Sequence, residues 1–363
     1  MNLDRRHARL AAVRRLGNGW TLLTDRADVR WASGFGGSAG WLLVGPDSCH
    51  LVTDARYSER ARDEVPVDLV DVVTTDARNE RHQIVARVVD ESPSRTRALG
   101  IRSTAITLAE SQSLTKMGLE LQTVDVASLR RVKDDDEISA VARAAHIADR
   151  ALHDVITMID VGVTELDVRD ELEYRMRRLG ADGPSYDTIV AAGPRHSAIP
   201  HHRPTSYAFA AGDPVVIDVG ALVDGYHSDM TRTFVVGEPS NEFRRWYAML
   251  AEAQLVALKS VRAGVECRTV DAAARAALGD EAQWFVHGTG HGVGLDIHEE
   301  PFLNGSSSAR FVSGEVVTVE PGLYRVGLGG VRIEDLVVVG SNGADVLTSF
   351  PKDLLCLPSP PTT

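Results

Sequence analysis

Two groups of residues in this chain carry reactive side chains in patterns that packing alone does not require. The first is HGTGHGVGLDIHEEP, residues 287–301, where His287, His291 and His298 and two glutamates sit among Gly288, Gly290, Gly292 and Gly294. Glycine beside reactive groups serves either a phosphate cradle, where backbone N–H groups approach an anion, or a crowded metal site. The phosphate reading fails, because no helical pattern follows the glycines and no Gly-Lys-Ser/Thr closes the loop. The second group is acidic: Asp218 in PVVIDVG, Asp229 eleven residues later, Glu320 in VVTVEPG and Glu334 in VRIEDLVVVG. Asp is depleted in strands, and an unpaired carboxylate inside an apolar run is costly to bury.

Taken alone, Asp218 also reads as a hydrogen-bonded residue at a sheet end. An internal repeat decides between the readings. GDPVVIDVG at 212–220 and GEVVTVEPG at 314–322 align at an offset of 102, which matches Asp213 with Glu315 and Asp218 with Glu320. The same offset takes Gly162, Val163 and Val168 to Gly264, Val265 and Val270, and an offset of 97 takes Gly193, His201 and Pro204 to Gly290, His298 and Pro301. Four strand-borne carboxylates therefore converge. Without a cation they would repel and raise one another's pKa. Their charge balances two divalent ions, and an added imidazole keeps manganese, cobalt, iron and zinc all open. Carboxylates that bridge two ions about 3.5 to 4 Å apart would activate a water for hydrolysis.

The elements that must position these groups can be read from pattern. WTLLT, the stretch VRWASGFGGSAGWLLVG and CHLVTD read as strands, residues 57–64 and 76–90 as helices, and RALGI and LQTVDV as further strands. Together they make a mixed α/β region. The N-terminal MNLDRRHARLAAVRRLGNGW has no apolar core and reads as an ordinary first helix rather than a secretory signal. After KDDDE at 133–137, Ile138, Val141, Ala145, Ala148, Leu152, Val155 and Ile159 recur at helical spacing, and Asp134 with Glu137 forms a capping-box pattern. Asp224-Gly225 between two apolar runs marks a hairpin that can set Asp218 across from Asp229.

Composition is that of an ordinary globular chain, with 44% hydrophobic and 25% charged residues. A net charge of -12 argues against a nucleic-acid surface, and no apolar run is long enough for a membrane span. Cys49, Cys267 and Cys356 show no Cys-x-x-Cys spacing, which fits a reducing, cytoplasmic setting.

The acidic positions, His291 in GTGHGVG and the flanking histidines resemble, in type and order, the metallopeptidase family of methionine aminopeptidase, aminopeptidase P and prolidase. KDDDEISAVARAA is similar to that family's entry helix, and RADVRWASGF with GGSAGWLLV looks like the N-terminal domain of its Xaa-Pro branch. The resemblance implies an α+β / α/β two-domain chain: a creatinase-like mixed α/β domain over 1–130, a pita-bread domain with an internal pseudo-twofold repeat over 131–350, and a Pro-rich tail over 351–363. It implies Asp218, Asp229, His291, Glu320 and Glu334 as ligands of two divalent metal ions, manganese foremost, with Asp218 bridging and a shared water as nucleophile. His201 would contact substrate beside the scissile bond, His298 would stabilise the tetrahedral intermediate, and Arg332 would hold carboxylates in place.

The remaining candidates carry lesser roles. His287 reads either as a residue that orients a ligand or as a packed or hydrogen-bonding one, His196, His202 and His227 as loop or rim residues, and Tyr324 as packing. Arg195, His196 and Tyr186 depart from what is usual in relatives, which bears on substrate preference. The leading expectation is a cytoplasmic, homodimeric peptidase that cleaves before proline in dipeptides or short peptides. The alternatives are a metal-dependent hydrolase of a small non-peptide nitrogen compound and a non-catalytic binding protein. The intact ligand set disfavours the binding protein and a creatinase-like enzyme, while a metal-dependent non-peptide hydrolase stays open.

Overall fold

The computed structural model describes residues 3–76 and 80–357. The chain divides into two compact units, residues 1–130 and 131–363. The first carries a six-stranded mixed sheet in the order Asp71–Thr75, Cys49–Asp54, Gly40–Val44, Trp20–Leu23, Ala98–Ile101, Glu120–Thr123. Trp20, Leu22, Leu43, Val52 and Leu99 of the sheet pack with Ile84, Val85 and Val89 of helix Glu80–Glu91. The first helix forms at Leu3–Arg14. Residues 77–79 of the expected 76–90 helix, and the tail from 358 onward, lie outside the described residues.

One segment departs from the strand reading. Residues Arg26–Ser33 are a helix, because the Asp25 carboxylate caps the backbone N–H groups of Ala27 and Asp28, and Gly34 ends the turn at φ 94°. Both punctuation marks were present in the sequence and outweigh the β-like Val29 and Trp31.

In the second unit the long helix Asp135–Val155 starts at the expected capping box: Glu137 N–H donates to Asp134 at 3.1 Å, and Asp134 N–H donates to Glu137 at 3.0 Å. It buries Ala144, Ala148, Leu152 and Val155. Ile159 lies past the helix end but is still fully buried, carried into the core by the 3₁₀ turn Ile156–Met158.

The repeat is visible in individual hydrogen bonds. Gly162 N–H donates to Phe209 O at 2.9 Å, and Gly264 N–H donates to Phe311 O at 2.8 Å, an offset of 102 at both ends. Asp213 accepts from Ala210 N–H at 2.8 Å, and Glu315 accepts from Val312 N–H at 2.9 Å, so the aligned acidic pair closes the same turn twice. Gly212 and Gly314, at φ 90° and 91°, make the left-handed step that starts each following strand.

Each half has its own sheet and apolar cluster. The first sheet runs Leu355–Leu357, Thr231–Val236, Pro214–Asp218, Ile189–Ala192, and the second Glu299–Leu303, Gly290–Gly292, Val316–Val319, Asp335–Val339, Ala344–Val346. Val215, Ile217 and Phe234 face one core, and Val317, Val319 and Val337 the other. Each such side chain stabilises its strand by about 1.5 to 3 kcal/mol. The acidic residues sit where these anchored strands end, on backbone that cannot drift.

Candidate active site

The Asp224-Gly225 turn forms as expected, with both residues at positive φ, 51° and 75°. The pairing is shifted from direct opposition, however: Asp218 pairs with Thr231. Asp229 lies two residues before Thr231, so the two carboxylates occupy the same face of the ladder as diagonal neighbours. Tyr186 spans them. Its hydroxyl bonds Asp218 and also reaches Asp229 Oδ1 at 2.5 Å. Burial first, and then the charges of Asp218 and Asp229, hold the phenol well above its ordinary pKa, so it stays a donor.

Glu320 and Glu334 come from the second half. Val319 pairs with Asp335, and continuing that register by one residue faces Glu320 with Glu334. Glu334 is almost completely buried and accepts from Thr231 Oγ1 at 2.7 Å, which ties the second half's acid to the first half's strand. Burial first, then the charges of neighbouring acids, pushes Asp229 and Glu334 well above the usual carboxylate range, and Glu320 is raised as well.

His291 supplies the deciding geometry. Its Nδ1 lies 3.0 Å from Gly292 O, an atom that can only accept, so Nδ1 carries the proton. Burial lowers its pKa and keeps the ring neutral. The bare Nε2 lone pair therefore faces Asp229 Oδ2 at 3.5 Å and Glu320 Oε1 at 3.4 Å. A bare nitrogen and two carboxyl oxygens converging this closely need a positive centre between them, a shared proton or a cation. Ligand atoms of Asp229, His291 and Glu334 lie within 4.8 Å of one another, and nitrogen with hard oxygens is a donor set suited to a divalent ion. The residues fit a metal.

Arg332 braces the site. Its guanidinium donates to Asp218 Oδ2 at 2.6 Å, Thr231 Oγ1 at 2.9 Å, Tyr324 Oη at 2.8 Å and Pro200 O at 3.2 Å. Tyr324 in turn bonds His287 Nε2 at 2.9 Å. The carboxylate, the histidine-bearing loop and the glycine strand are thus linked through one buried side chain. A cavity of about 540 Å³ opens onto these groups, lined by Asp218, Asp229, His291, Glu320, Arg332 and Glu334 and also by His201 and His298. His201 and His298 are exposed to it, and the His298 ring stands 4.3 Å from that of His291.

Residues 139–341 match the family model "Metallopeptidase family M24", and residues 5–132 match "Creatinase/Prolidase N-terminal domain". The chain belongs to metallopeptidase family M24. It is 36% identical over 87% of its length to the Xaa-Pro dipeptidase of Pyrococcus furiosus, of which it covers 89%. Among solved structures it is similar to an Xaa-Pro dipeptidase from Bacillus anthracis, with TM-score 0.92, 36% identity and coverage of 98% of this chain and 100% of that one. An X-Pro aminopeptidase from Thermotoga maritima superposes with TM-score 0.88 at 31% identity, over 96% of this chain and 100% of that one. The architecture is accordingly a creatinase-type N-terminal domain followed by a pita-bread metallopeptidase domain.

Within this metallopeptidase the minor candidates take more definite places. His202 lies in a loop and lines the cavity although it is largely buried; together with His196 it bonds Glu165. His227 is half-buried and bonds Ser185 Oγ at 2.8 Å. Tyr324, expected to pack, is a hydrogen-bond relay between Arg332 and His287. Glu165 and the bracing role of Tyr186 were not visible in the sequence, since neither stands in an apolar run or a repeated position that would mark it. Among the described residues no helix is long and apolar enough to cross a membrane.

Proposed function

We propose that this metallopeptidase hydrolyses the bond preceding proline, in Xaa-Pro dipeptides or at the N-terminus of short Xaa-Pro peptides. The observation that carries the hydrolytic part is the neutral His291 whose Nε2 faces Asp229 and Glu320. The proline preference is supported by the names of relatives that match over nearly the whole chain.

Asp218, Asp229, His291, Glu320 and Glu334 would hold two divalent ions, manganese foremost, with Asp218 shared between them. Ions bound there would supply an acidified water as nucleophile and a Lewis acid for the carbonyl. Arg332 and Tyr186 both donate to Asp218 and keep it oriented. His298, its pKa lowered by burial first and by His291 next, is neutral near pH 7 and offers an N–H to the oxyanion that forms when water adds to the carbonyl carbon. His201 lines the same cavity and would position the substrate. The proton that the water gives up as it adds to the carbonyl carbon would pass to the proline nitrogen as the C–N bond breaks. A homodimer in the cytoplasm belongs to the same reading, and sedimentation checks the dimer.

The test is hydrolysis of a panel of Xaa-Pro dipeptides and Xaa-Pro-Xaa tripeptides by manganese-loaded or cobalt-loaded protein. Dipeptide-only cleavage makes it a prolidase, and tripeptide cleavage an aminopeptidase. Failure on both panels with metal bound overturns the proposal. Asp218→Ala should lose both ions, and retained stoichiometric metal would refute the shared ligand.

A further inference from the structure

Away from the carboxylate cluster, one buried acid gathers an unusual number of donors. Glu165, the first residue of helix Glu165–Arg178, is completely shielded from solvent. Its Oε1 accepts from Ala192 N–H at 2.8 Å and lies 3.0 Å from His196 Nδ1. Its Oε2 accepts from Thr205 N–H at 2.9 Å and Thr205 Oγ1 at 2.8 Å, and lies 3.0 Å from His202 Nε2. One carboxylate thereby joins the end of strand Ile189–Ala192, the short helix Gly193–His196 and the loop that follows.

That loop carries His201. The residue before it, Pro200, is held through its carbonyl by Arg332 at 3.2 Å, and the residue after it, His202, is held by Glu165. The two imidazoles on Glu165 stack at 4.3 Å between centroids, and the His196 ring meets Tyr207 edge-on at 5.0 Å. Burial alone would raise the Glu165 pKa, but the hydrogen bonds from Ala192, His202 and Thr205 together outweigh it, so the carboxylate stays charged. Bonds to a charged acceptor are the stronger kind, and five on one group make a rigid node.

The second half shows why a side chain is needed here. The position 102 residues after Glu165 is Cys267, and the matching backbone bonds are kept: Glu165 N–H to Tyr207 O and Cys267 N–H to Ala309 O. There the segment leading to His298 is held by a ladder between strands Gly290–Gly292 and Glu299–Leu303. Residues 197–206 in the first half belong to no strand. The carboxylate replaces the missing ladder.

Glu165, His196 and His202 are also spaced as metal ligands would be. Both Glu165 oxygens are, however, already engaged by two fixed backbone N–H groups and a hydroxyl, which leaves little lone-pair capacity for an ion.

We infer that Glu165 is the positioning residue for His201, clamping the substrate-contacting loop from beneath. This rests on the proposed peptidase function for His201's role, so the test reads activity and loop order separately. Glu165→Ala, the isosteric Glu165→Gln, His201→Ala and the Glu165→Ala/His201→Ala double variant are compared as full chains with manganese. Glu165→Ala should lower kcat/KM about a hundredfold, the size of effect expected from a displaced contact near reacting atoms. In the His201→Ala background the same change should cost less than about threefold, because both substitutions remove one function. Additive losses, or wild-type kcat and KM in Glu165→Ala, overturn the clamp.

Hydrogen exchange gives the second readout. Amides of Ala192 and Thr205 should exchange about tenfold faster in Glu165→Ala, and also in Glu165→Gln if the alanine variant does not fold, while those of residues 316–319 stay unchanged. Unchanged exchange at Ala192 and Thr205 overturns the inference. Metal content should match wild type, and loss of one bound ion on Glu165→Gln would overturn the clamp in favour of a ligand role. If wild type cleaves no Xaa-Pro peptide, the proposed function fails, and the exchange data alone still decide the clamp.

Discussion

Replacing Glu334 with glutamine should uncouple stability from activity, and the direction follows from the site's electrostatics. In the metal-free protein Glu334 is buried among Asp229, Glu320 and Asp218, and its pKa stands well above the ordinary carboxylate value. For a group whose folded pKa is raised, the folded state binds more protons than the unfolded one. Its contribution to stability is present below the unfolded value and is lost as pH rises through the folded value. Metal-free wild type should therefore weaken from acid toward neutral pH. Glutamine keeps the shape and an acceptor for the Thr231 hydroxyl, which donates at 2.7 Å, while removing the charge. In EDTA at pH 8, Glu334→Gln should be at least as stable as wild type. With free manganese at a hundred times Kd, wild type gains about 2.7 kcal/mol per site. At about 2 to 4 °C per kcal/mol for a domain of this size, that is a rise of roughly 5 to 11 °C per site. The variant should gain less than half of the wild-type rise and lose peptidase activity. Scanning calorimetry with and without metal, at several pH values, measures all of this. A Glu334→Gln protein clearly less stable than wild type in EDTA at pH 8 would refute the repulsion and, with it, the electrostatic case for the ions.

Other substitutions separate the remaining roles. His298→Ala should lower kcat by about 10² to 10³, the range for a lost oxyanion donor, with both ions retained by elemental analysis. Tyr186→Phe removes the hydroxyl that spans Asp218 and Asp229 and should weaken manganese binding about tenfold or more in titration calorimetry, with little change in Tm. Gly220→Ala would place a Cβ 1.9 Å from Ser228 O. That is backbone that cannot move aside without parting Asp218 from Asp229, so denaturant titration should show a loss of about 1 to 3 kcal/mol, accompanied by weaker metal binding.

The acidic positions were legible because each broke a rule of its surroundings. A charge inside PVVID or VVTVE has no place in a core unless something compensates it, and the repeat showed that the breach occurs twice. The helix from Asp135 and the turn at Asp224-Gly225 were legible from local chemistry, namely a capping box and residues that tolerate positive φ. Arg26–Ser33 was misread because Val29 and Trp31 suit a strand, while the helix is decided at its ends by Asp25 and Gly34. Glu165 gave no signal at all. It stands at a helix start, where an acidic residue is ordinary, and its five donors come from residues 27 to 40 positions away. Such long-range convergence exists only in the folded chain.

The cluster draws the acids Asp218 and Asp229 from one half of the pita-bread domain and His291 with the acids Glu320 and Glu334 from the other, and Thr231 and Arg332 bind the two sets together. This has a consequence for timing during synthesis. A chain emerging from the ribosome folds its N-terminal parts first, yet its first half offers an ion only two carboxylates. On the proposed ligand assignment, a nascent or truncated chain that stops short of Glu334 holds an incomplete set, however well its first sheet has formed. Hydrolytic capacity would then arrive in one step, late, with the strand pair that carries the last ligand, and the cell would never host a half-made peptidase.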